Sequence, residues 1–591
     1  MVDKYTKLRI RRSWRRKQKS IEEAQFVAGR RFEKLVLLRW RNLKDVRRFV
    51  VGWLVLVGLL GFGVLYQNQG LDSYYLTDTP VPGGVYREGI VGNVTNVNPI
   101  FATSSADRAA SSLIFSTLLK FDNQGNLVGD LAKKWTVDKT GEVYTVILKD
   151  NIVWHDGEQL TADDVLYTFE AIQTPDTRSY LNQSWQNIKV TTKDERTITF
   201  VLPNAFVPFP TSLTKVGIVP EHILGDVEYA EIRSHEFNNV NPIGTGPFVF
   251  DGISSGDDRQ TLKLTASESY HNSPPKIEQF NLELFKDHES LTEAYMDGEL
   301  VGAGGLRTID KPNFDKLENS HWQDLPLDDG IYIFMKNSDA LLKDKILRRA
   351  ITRMIDQIEI NKLFNSRYIP VDGPLLRNQL GYDEKRKQLS YDAKKAIKDL
   401  NSAGWKKIGP DGIRIKNKKR LEIKMVTQNN DDYPELARNL QEQMKELGVD
   451  LKVELVGQGE IQQNHIIPHN YQMLLFGISI GKDPDVFAYW HSSQSKVGGF
   501  NLSEYDNPIA DIALEGGRTR SNEKLRTEKY QSFLDEWSGD APAVGLYQPT
   551  YGYVLYNIVN GFEPSHISSP DERFNDVHKW TVSLRPAQKP Y

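Results

Sequence analysis

The sequence contains no cysteine in its 591 residues. This absence excludes disulfide bonds, iron–sulfur clusters, zinc sites built from thiolates and cysteine nucleophiles. Histidine is also scarce, with 11 residues, and the H-E-x-x-H pattern of zinc peptidases does not occur. We therefore expect no metal, no cofactor and no catalytic residue, although a catalytic triad assembled in space needs no sequence motif.

Charges of opposite sign are separated along the chain. Residues 1–48 hold 17 Lys and Arg against 5 Asp and Glu, a net charge of +12, so the total of −4 leaves −16 for residues 49–591. Between the two parts, Phe49–Tyr66 is an uncharged run, which as a helix would be about 27 Å long. This length predicts a single transmembrane helix in the cell membrane, with residues 1–48 in the cytoplasm and the larger part outside.

A cleaved signal peptide is the alternative for this run. The run is longer than the apolar part of a typical signal peptide, and its pair of small residues, Gly61 and Gly63, lies inside it. We therefore expect a retained anchor. The basic residues that precede it predict attraction to anionic lipid headgroups or to a membrane partner, and we expect no nucleic acid partner.

The stretch Trp154–Val165 is the most informative part of the chain. Val143–Lys149 has the composition of a strand, Asp156-Gly157 that of a turn, and Thr161 can cap a helix whose first turn carries two aspartates. A catalytic pair or a metal site at His155-Asp156 is the alternative, but adjacent strand residues point to opposite faces and no second histidine stands at ligand spacing. The stretch is therefore predicted to be structural, a hairpin followed by a helix.

This stretch closely resembles the W-H-D-G-x-x-L-T-A-x-D-V signature of the family 5 extracellular solute-binding proteins, the binding components of peptide-type ABC importers. Further matches occur in family order at Asn98-Pro99, Leu131-Ala132, Pro242–Phe248, Arg349-Ala350, Asp392–Ala396, Ala403–Trp405 and Asp483–Asp485. The resemblance implies an α/β fold, a two-lobed clamp of the periplasmic-binding-protein type. It also implies an extra subdomain in lobe one and a ligand held between the lobes.

Proline and glycine punctuate the chain at the expected domain boundaries. After the basic segment 1–48 and the transmembrane helix 49–66, residues 67–84 indicate a linker. The expected folded segments are lobe one at 85–325 with its inserted subdomain at about 120–240, lobe two at 326–546, and a return to lobe one at 547–591. Within lobe two, residues 421–455 show a β-α-β pattern.

The candidate site lies where a buried strand ends. Tyr471–Ile480 is almost uniformly apolar, as expected of a strand buried on both faces, and ligands of open α/β sheets bind at the carboxyl ends of strands. We therefore expect ligand contacts at this strand end and just after it. The expected ligand-binding residues are Phe476, Gly477, Ile478, Ile480, Asp483, Asp485, Tyr489, Trp490 and Asn501.

Several of these residues have a structural alternative. Tyr489 and Trp490 fit the core of a helix, Asn501 fits a turn cap, and Asp483 and Asp485 fit caps around a proline. Pocket walls are mostly apolar and only a few polar groups converge on a solute. Each of these residues can therefore be interpreted either as a ligand contact or as a structural residue.

One position departs from the family pattern. The resembling oligopeptide and dipeptide binders carry Gly-Trp-x-x-Asp at this strand end, where the aspartate pairs with the α-ammonium group of the peptide. That spacing places the aspartate at Ile480 and the tryptophan at Gly477. A buried ammonium group without a partner is costly. We therefore expect a peptide, or another extended solute, to bind without recognition of a free amino group, unless Asp483 or Asp485 takes over.

The resemblance and the anchor together predict the membrane-anchored substrate-binding component of an ABC importer. It would close its lobes on an oligopeptide or a similar extended solute and deliver it to the permease and ATPase subunits. A membrane-anchored sensor or scaffold on the same fold is the alternative, since fold alone does not choose between import and sensing. An extracytoplasmic enzyme is the third possibility.

The charge asymmetry makes a prediction about topology. Protease added to intact cells should digest an epitope placed after Tyr591 and spare one placed before Lys4, because positive charge stays on the cytoplasmic side. Immunoblotting of the two epitopes measures this. The reverse pattern would contradict the orientation, and a mature N-terminus near Gln67 would show a cleaved signal peptide.

Overall fold

The computed structural model describes residues 47–307, 310–365, 368–430, 432–564 and 566–588. The chain divides into two compact units, one ending at Thr79 and including the chain from Leu584, the other comprising Pro80–Ser583. The α-helices of the described residues are α1 Arg47–Tyr75, α2 Ser105–Ile114, α3 Ala162–Gln173, α4 Asn182–Trp185, α5 Phe209–Ser212, α6 Glu221–Leu224, α7 His288–Met296, α8 Lys311–Phe314, α9 Lys345–Met354, α10 Gln357–Leu363, α11 Ala393–Ser402, α12 Tyr433–Glu446, α13 Gln458–Glu460, α14 Phe487–Trp490, α15 Pro508–Thr519 and α16 Glu523–Asp540. The strands are β1 Leu76–Val81, β2 Val85–Val91, β3 Leu119–Phe121, β4 Leu127–Gly129, β5 Ala132–Val137, β6 Val143–Leu148, β7 Lys189–Asp194, β8 Thr197–Val201, β9 Phe248–Ser255, β10 Arg259–Ala266, β11 Gln279–Phe285, β12 Gly302–Leu306, β13 Ser320–Pro326, β14 Asp329–Met335, β15 Ile369–Pro370, β16 Lys407–Ile408, β17 Arg414–Lys416, β18 Lys419–Arg420, β19 Glu422–Gln428, β20 Asp450–Val456, β21 Met473–Ser479, β22 Ala543–Gln548, β23 Thr550–Tyr556 and β24 Ser583–Gln588.

Helix α1 of the first unit covers the predicted membrane span at Phe49–Tyr66. Its side chains from Val51 to Phe62 are exposed around the whole helix. Among the residues that the structure describes, no helix combines the length and the apolar character needed to cross a membrane. The side chains of residues 63–66 and the whole basic segment before residue 47 lie outside the described part of the chain.

The segment 67–84, which the sequence indicates as a linker, is helical to Tyr75 and then forms strand β1. No proline interrupts the chain between the apolar run and Pro80, so α1 can continue beyond that run. The chain turns at Gly83 and Gly84, whose φ angles of 114° and 88° lie in a region that glycine adopts without strain.

A mixed seven-stranded sheet forms the core of lobe one, in the order β13-β23-β12-β2-β11-β10-β9. Strands β2 and β11 pair in parallel, with Val85 opposite Gln279 and Val91 opposite Phe285. The first strand after the glycine turn therefore lies at the centre of this sheet.

The inserted subdomain contains a four-stranded antiparallel sheet in the order β5-β6-β8-β7, with helix α3 packed against it. The expected hairpin between β6 and the segment after it does not form, because β6 pairs with β5 and β8 at its two edges. Residues 152–154 pair instead with residues 158–160, with Val153 opposite Gln159. The helix start follows the prediction. The hydroxyl of Thr161 accepts a hydrogen bond from the backbone of Asp163, and the carboxylate of Asp164 accepts one from the backbone of Thr161.

His155 is a structural residue of this subdomain. Its Nδ1 accepts from the backbone N–H of Gly244 at 3.3 Å and its Nε2 donates to the carbonyl of Gly246 at 3.0 Å, while burial lowers its pKa. The adjacent Asp156 contacts His222 instead, at 2.9 Å. The pair therefore serves two different neighbours, and nowhere in the described ranges do three His, Asp or Glu side chains converge as metal ligands.

Lobe two is built on a six-stranded sheet in the order β15-β22-β14-β21-β19-β20. The β-α-β unit consists of β19, α12 and β20, whose parallel strands pair from Glu422 opposite Asp450. Strand β21 lies between the antiparallel β14 and the parallel β19. Its apolar residues 473–475 are fully buried, because the sheet is covered on both faces.

Two short connections join the lobes. Only Leu327 and Asp328 separate β13 of lobe one from β14 of lobe two, and only Pro549 separates β22 of lobe two from β23 of lobe one. The connections lie side by side, because the amide of Gln548 donates to the carbonyl of Leu327 at 2.7 Å. From the sequence, the first crossing was expected within 325–330 and the return at about residue 547.

A buried ion pair holds the returning chain to lobe one. Arg573 donates to Glu88 Oε1 through Nε at 2.9 Å and through Nη2 at 2.6 Å. The other carboxylate oxygen accepts from the hydroxyls of Tyr86 and Tyr553. The carboxylate is therefore fully hydrogen-bonded inside the core, and it connects a strand near the start of the lobe to the segment that ends it.

Removal of one partner of this pair should destabilise the protein strongly. We expect Arg573→Met to lower the free energy of unfolding by about 3–5 kcal/mol, because it leaves Glu88 buried without a cation. Urea denaturation followed by tryptophan fluorescence measures the change. The control is Lys133→Met, which breaks the exposed Lys133–Asp150 pair and should cost less than about 1 kcal/mol. Equal losses in the two variants would contradict this account.

Candidate functional site

A cavity of about 550 Å³ lies between the two lobes. Its lobe one wall comes from helix α2, from the inserted subdomain and from residues 568–571, and its lobe two wall is the segment 479–485. The walls are rich in hydroxyl groups, contributed by Ser111, Ser112, Thr117, Thr211, Thr214 and Ser568. A cavity of this size and composition can hold a small ligand or a short part of a long one.

The end of β21 is fixed in this cavity by its backbone. The N–H groups of Ile480 and Gly481 donate to the carbonyl of Asp328 at 2.8 and 3.1 Å. The amide of Gln379 donates to the carbonyl of Gly481 at 2.6 Å. Gly481 has a φ of 78°, so a glycine here allows the chain to turn away from the strand.

The structure separates the nine predicted ligand residues into groups. Those that line the cavity are Ile480, Asp483 and Asp485. Phe476, Gly477 and Ile478 precede them on β21, and the side chains of Phe476 and Ile478 pack into the core of lobe two. Tyr489 supports the strand end, because its hydroxyl donates to the carbonyl of Ser479 at 2.6 Å.

Trp490 and Asn501 lie away from the cavity, in agreement with their structural alternatives. Trp490 is fully buried, with its ring 5.4 Å from that of Trp537. The amide of Asn501 donates to the carbonyl of Tyr505, and its carbonyl accepts from the backbone of the same residue. The expectation that these two side chains line the cleft is therefore not met. Trp490 packs in the core, and Asn501 forms hydrogen bonds within a loop.

Arginines from two helices neutralise the cavity carboxylates. Arg526 on α16 donates to both oxygens of Asp483, at 2.8 and 3.0 Å, and Arg518 on α15 donates to Asp485 Oδ2 at 2.7 Å. Burial raises the pKa of Asp483, and Arg526 opposes that effect. The side chains of both aspartates therefore form ion pairs, whereas the structural alternative from the sequence was that they cap turns around Pro484. Oδ1 of Asp485 is buried and has no hydrogen-bond partner among the described residues.

Arg518 also connects the lobes. Its guanidinium carbon lies 4.1 Å from the ring centroid of Phe487 in lobe two and 5.0 Å from that of Phe206 in lobe one. Its carbonyl accepts from the backbone N–H of Val207 at 2.9 Å. Neither Arg518 nor Arg526 could be identified from local sequence patterns, because the residues that they contact are distant in the chain.

Cations of the cavity wall are paired as well. Lys215 lies 2.9 Å from Glu572, and Lys482 lies 3.7 Å from Asp328 and 3.9 Å from Glu572. Lys482 comes from lobe two, whereas Glu572 comes from the returning chain of lobe one. The contact therefore joins the two lobes beside the cavity.

Asp571 is the most loosely paired carboxylate of the cavity wall. Its nearest cation in the described residues is Arg108, at 3.6 Å, and its Oδ1 has no hydrogen-bond partner there. Local sequence patterns do not indicate Asp571 as a site residue, since it lies in the returning chain far from the strand end.

The hinge beside the cavity contains two neighbouring aspartates, the buried Asp328 and the half-buried Asp329. Asp328 accepts from the hydroxyl of Ser568 at 2.5 Å and lies 3.0 Å from His566. Burial raises the pKa of Asp328 and lowers that of His566. Burial also raises the pKa of Asp329 to about 6, although a hydrogen bond from Ser479 acts against it.

The arrangement is suited to holding a solute and lacks the features of a catalytic centre. Residues 252–256 read G-x-S-x-G, the pattern that surrounds the nucleophilic serine of some hydrolases. However, Ser254 lies on strand β9 opposite Thr261 of β10, and the hydrolase motif requires a turn from a strand into a helix. Two lobes joined by two short connections, with a cavity between them, define a solute-binding protein of the clamp type.

Comparisons with known proteins agree with this class. The family model "Bacterial extracellular solute-binding proteins, family 5 Middle" matches residues 126–499, which is more than half of the chain. The chain therefore belongs to family 5 of the bacterial extracellular solute-binding proteins, which are binding proteins of ABC transport systems and not enzymes. The resemblance noted in the sequence is confirmed.

Individual relatives show the same architecture. The oligopeptide-binding protein AppA of Bacillus subtilis is 28% identical over 517 residues, which cover 85% of this chain and 92% of AppA. The structure of that protein with a nonapeptide has a TM-score of 0.69 at 26% identity, covering 85% of this chain and all of that one. NikZ of Campylobacter jejuni in complex with Ni(L-His) has a TM-score of 0.70 at 26% identity, covering 84% and 99%.

The raised pKa of Asp329 predicts a pH-dependent stability. The folded state holds the proton up to about pH 6, whereas an unfolded aspartate loses it near pH 4, so stability falls between these values and stays lower above them. We expect Asp329→Asn to match the wild type at pH 4 and to be more stable by about 2 kcal/mol at pH 7.5.

Urea denaturation at the two pH values measures this difference. The control is the same substitution at the exposed Asp251, which should change the free energy of unfolding little at either pH. A stabilisation by Asp329→Asn that is equal at pH 4 and pH 7.5 would contradict the explanation by protonation.

Proposed function

We propose that this protein is the membrane-anchored substrate-binding component of an ABC importer for oligopeptides or similar extended solutes. The observation that carries the proposal is the cavity between the lobes, in which the charged side chains are paired with each other. Such a cavity offers hydroxyl and backbone groups to an uncharged ligand backbone, and it has little unpaired charge with which to select one ionic solute. A peptide backbone has this chemistry, and AppA was solved with a nonapeptide.

We propose that a free α-amino group contributes little to binding. Ile480, at the cavity wall, offers an apolar side chain where the resembling peptide binders carry an aspartate. Asp483 and Asp485 already hold arginines, so an ammonium group would have to compete for a shared carboxylate. Asp571 is the remaining candidate, since its pairing with Arg108 is long.

Closure would couple binding to transport. A solute that contacts both walls favours the closed arrangement, because only closure provides both sets of contacts. Permease and ATPase subunits are the partners that such a binding protein serves.

Attachment to the membrane through α1 is supported by the uncharged run in the sequence and by the exposure of the α1 side chains from Val51 to Phe62. A helix whose apolar side chains cover its whole circumference is typical of a membrane environment. Exposed fractions of 67% for Phe49 and Leu54 and 55% for Trp53 show apolar side chains on several sides of α1. The +12 charge of residues 1–48 would add attraction to anionic lipids.

Peptide binding to the full-length protein tests the proposal. Calorimetric titration with a mixed-sequence nonapeptide pool should give micromolar binding, about 8 kcal/mol. Thr211→Trp should abolish it, because the indole would fill the cavity that Thr211 lines. Thr136→Trp, on the exposed face of β5, is the matched control and should bind as the wild type. Absence of any peptide binding by the wild type would refute the proposal.

The same titration with N-acetylated peptides tests the role of the amino group. Acetylation should change the dissociation constant less than about tenfold, or roughly 1.4 kcal/mol. A loss of a hundredfold or more would mean that a carboxylate reads the amine, and Asp571→Asn would then identify it.

A further inference from the structure

The small three-stranded sheet of lobe two, formed by β16, β17 and β18, carries a concentration of positive charge. Residues 405–420, which contain this sheet and are called the basic meander below, hold seven Lys and Arg against one Asp, a net charge of +6. They belong to the part of the chain, residues 49–591, whose net charge is −16. Because like charges repel one another, this local excess is unfavourable by itself and is suited to an anionic partner.

Two arginines attach the basic meander to the rest of lobe two. Arg414 is buried and donates to the carbonyl oxygens of Trp405 and Leu447, each at 2.7 Å. Arg420 forms an ion pair at 2.9 Å with Asp450 of β20. The meander is therefore a fixed part of the lobe, and these two charges have structural roles.

Four further basic residues of the meander are open to solvent. All four are exposed, and none of them forms an ion pair or a side-chain hydrogen bond with another residue that the structure describes. They are Lys406, Lys407, Lys418 and Lys419. The one carboxylate of the meander, that of Asp411, is already paired with Arg420 at 2.6 Å. Four positive charges on one fixed frame are therefore available to a partner.

The tip of the meander holds positive charge at a local cost in stability. Its two-residue turn consists of Asn417 and Lys418, with φ angles of 51° and 65°, and such a turn favours glycine at its second position. The flanking Lys416 and Lys419 stand directly opposite each other, and like charges in that arrangement are destabilising. Strain that concentrates charge at an exposed tip points to a role in binding.

The surroundings of these lysines favour a membrane as the partner. Ile408, next to Lys407 on β16, is 58% exposed, and basic residues beside an exposed apolar side chain are typical of surfaces that contact lipid headgroups. Only residues 76–79 separate α1 from the unit that begins at Pro80. Attachment through α1 therefore confines the folded unit to the membrane surface and raises the effective concentration of headgroups around it.

We propose that the basic meander of lobe two binds the anionic phospholipid headgroups of the membrane to which α1 attaches the protein. The four exposed lysines contact the phosphate groups, and Ile408 contacts the boundary between headgroups and acyl chains. Each lysine near an anionic surface strengthens binding about fivefold. The inference uses the membrane attachment of the proposed function and is independent of the solute that the cavity holds.

Lysine footprinting of the full-length protein in lipid nanodiscs tests the inference. The discs contain either phosphatidylcholine alone or about equal parts of phosphatidylcholine and phosphatidylglycerol. Mass spectrometry measures how fast each lysine is acetylated. In the anionic discs the four lysines should react at least about threefold more slowly than in the neutral discs, and about 0.5 M salt should remove the difference. The exposed Lys139 and Lys524 are internal controls and should react equally in both discs.

The test variant combines Lys418→Glu with Lys419→Glu, which reverses two charges at the tip. It should abolish the protection of the other two lysines of the meander, because the tip then repels the headgroups. The matched control makes the same charge change at Lys139 and Lys524 and should keep the protection of the wild type. Protection that survives the test variant would overturn the inference.

The remaining outcomes separate the inference from the proposed function. Equal reactivity of the meander in neutral and anionic discs would overturn the inference and leave the proposed function standing. Protection in neutral discs by free inorganic phosphate, at the lipid phosphate concentration of the anionic discs, would assign a soluble anion and overturn the membrane as the partner. Full-length protein that does not enter the discs would overturn the membrane attachment, and the inference with it.

Discussion

The fold depends on one buried residue, Asp328, which holds three distant segments together. It lies between the last strand of lobe one and the first strand of lobe two, and its backbone carbonyl accepts two hydrogen bonds from the end of β21. Its side chain binds Ser568 and contacts His566 in the returning chain. The hinge, the wall of the cavity and the return to lobe one are therefore positioned by one set of contacts.

The charges around the cavity show why these contacts define geometry more than they add stability. Removing charges from water is expensive, so the attraction within a buried pair mainly offsets the cost of burying it. The pairs instead determine where the charged groups lie. Arg526 and Arg518 hold Asp483 and Asp485 at fixed positions, and Lys482 reaches from lobe two to Glu572 of lobe one. The result is a cavity with mostly balanced charge.

Local patterns predicted those parts of the fold that local interactions determine. The cap at Thr161 and the β-α-β unit of lobe two follow from the side chains next to them in sequence, and an apolar run identified β21. The extent of α1 was not predicted, because an uncharged run marks where a helix is apolar and gives no information on where it stops. The hairpin predicted after β6 does not form because both edges of β6 are paired with β5 and β8, a tertiary arrangement that the local sequence does not reveal.

The candidate site was predictable only in part, for a physical reason. The strand end is a local feature, and Ile480, Asp483 and Asp485 line the cavity near it. Arg518 and Asp571 reach the site through tertiary contacts that no spacing reveals. Tryptophan is a residue type common in pocket walls, but its large indole is equally suited to a protein core. In this structure Trp490 packs in the core of lobe two.

The shortness of the two hinge connections limits how the lobes can move. One consists of two residues and the other of Pro549, whose ring fixes φ, so few backbone torsions are free to rotate. Because Gln548 holds the connections side by side, they define one common axis. Opening is then a rotation that must separate Arg518 from Phe206 and Val207. These contacts therefore stabilise the closed arrangement of the lobes against that rotation.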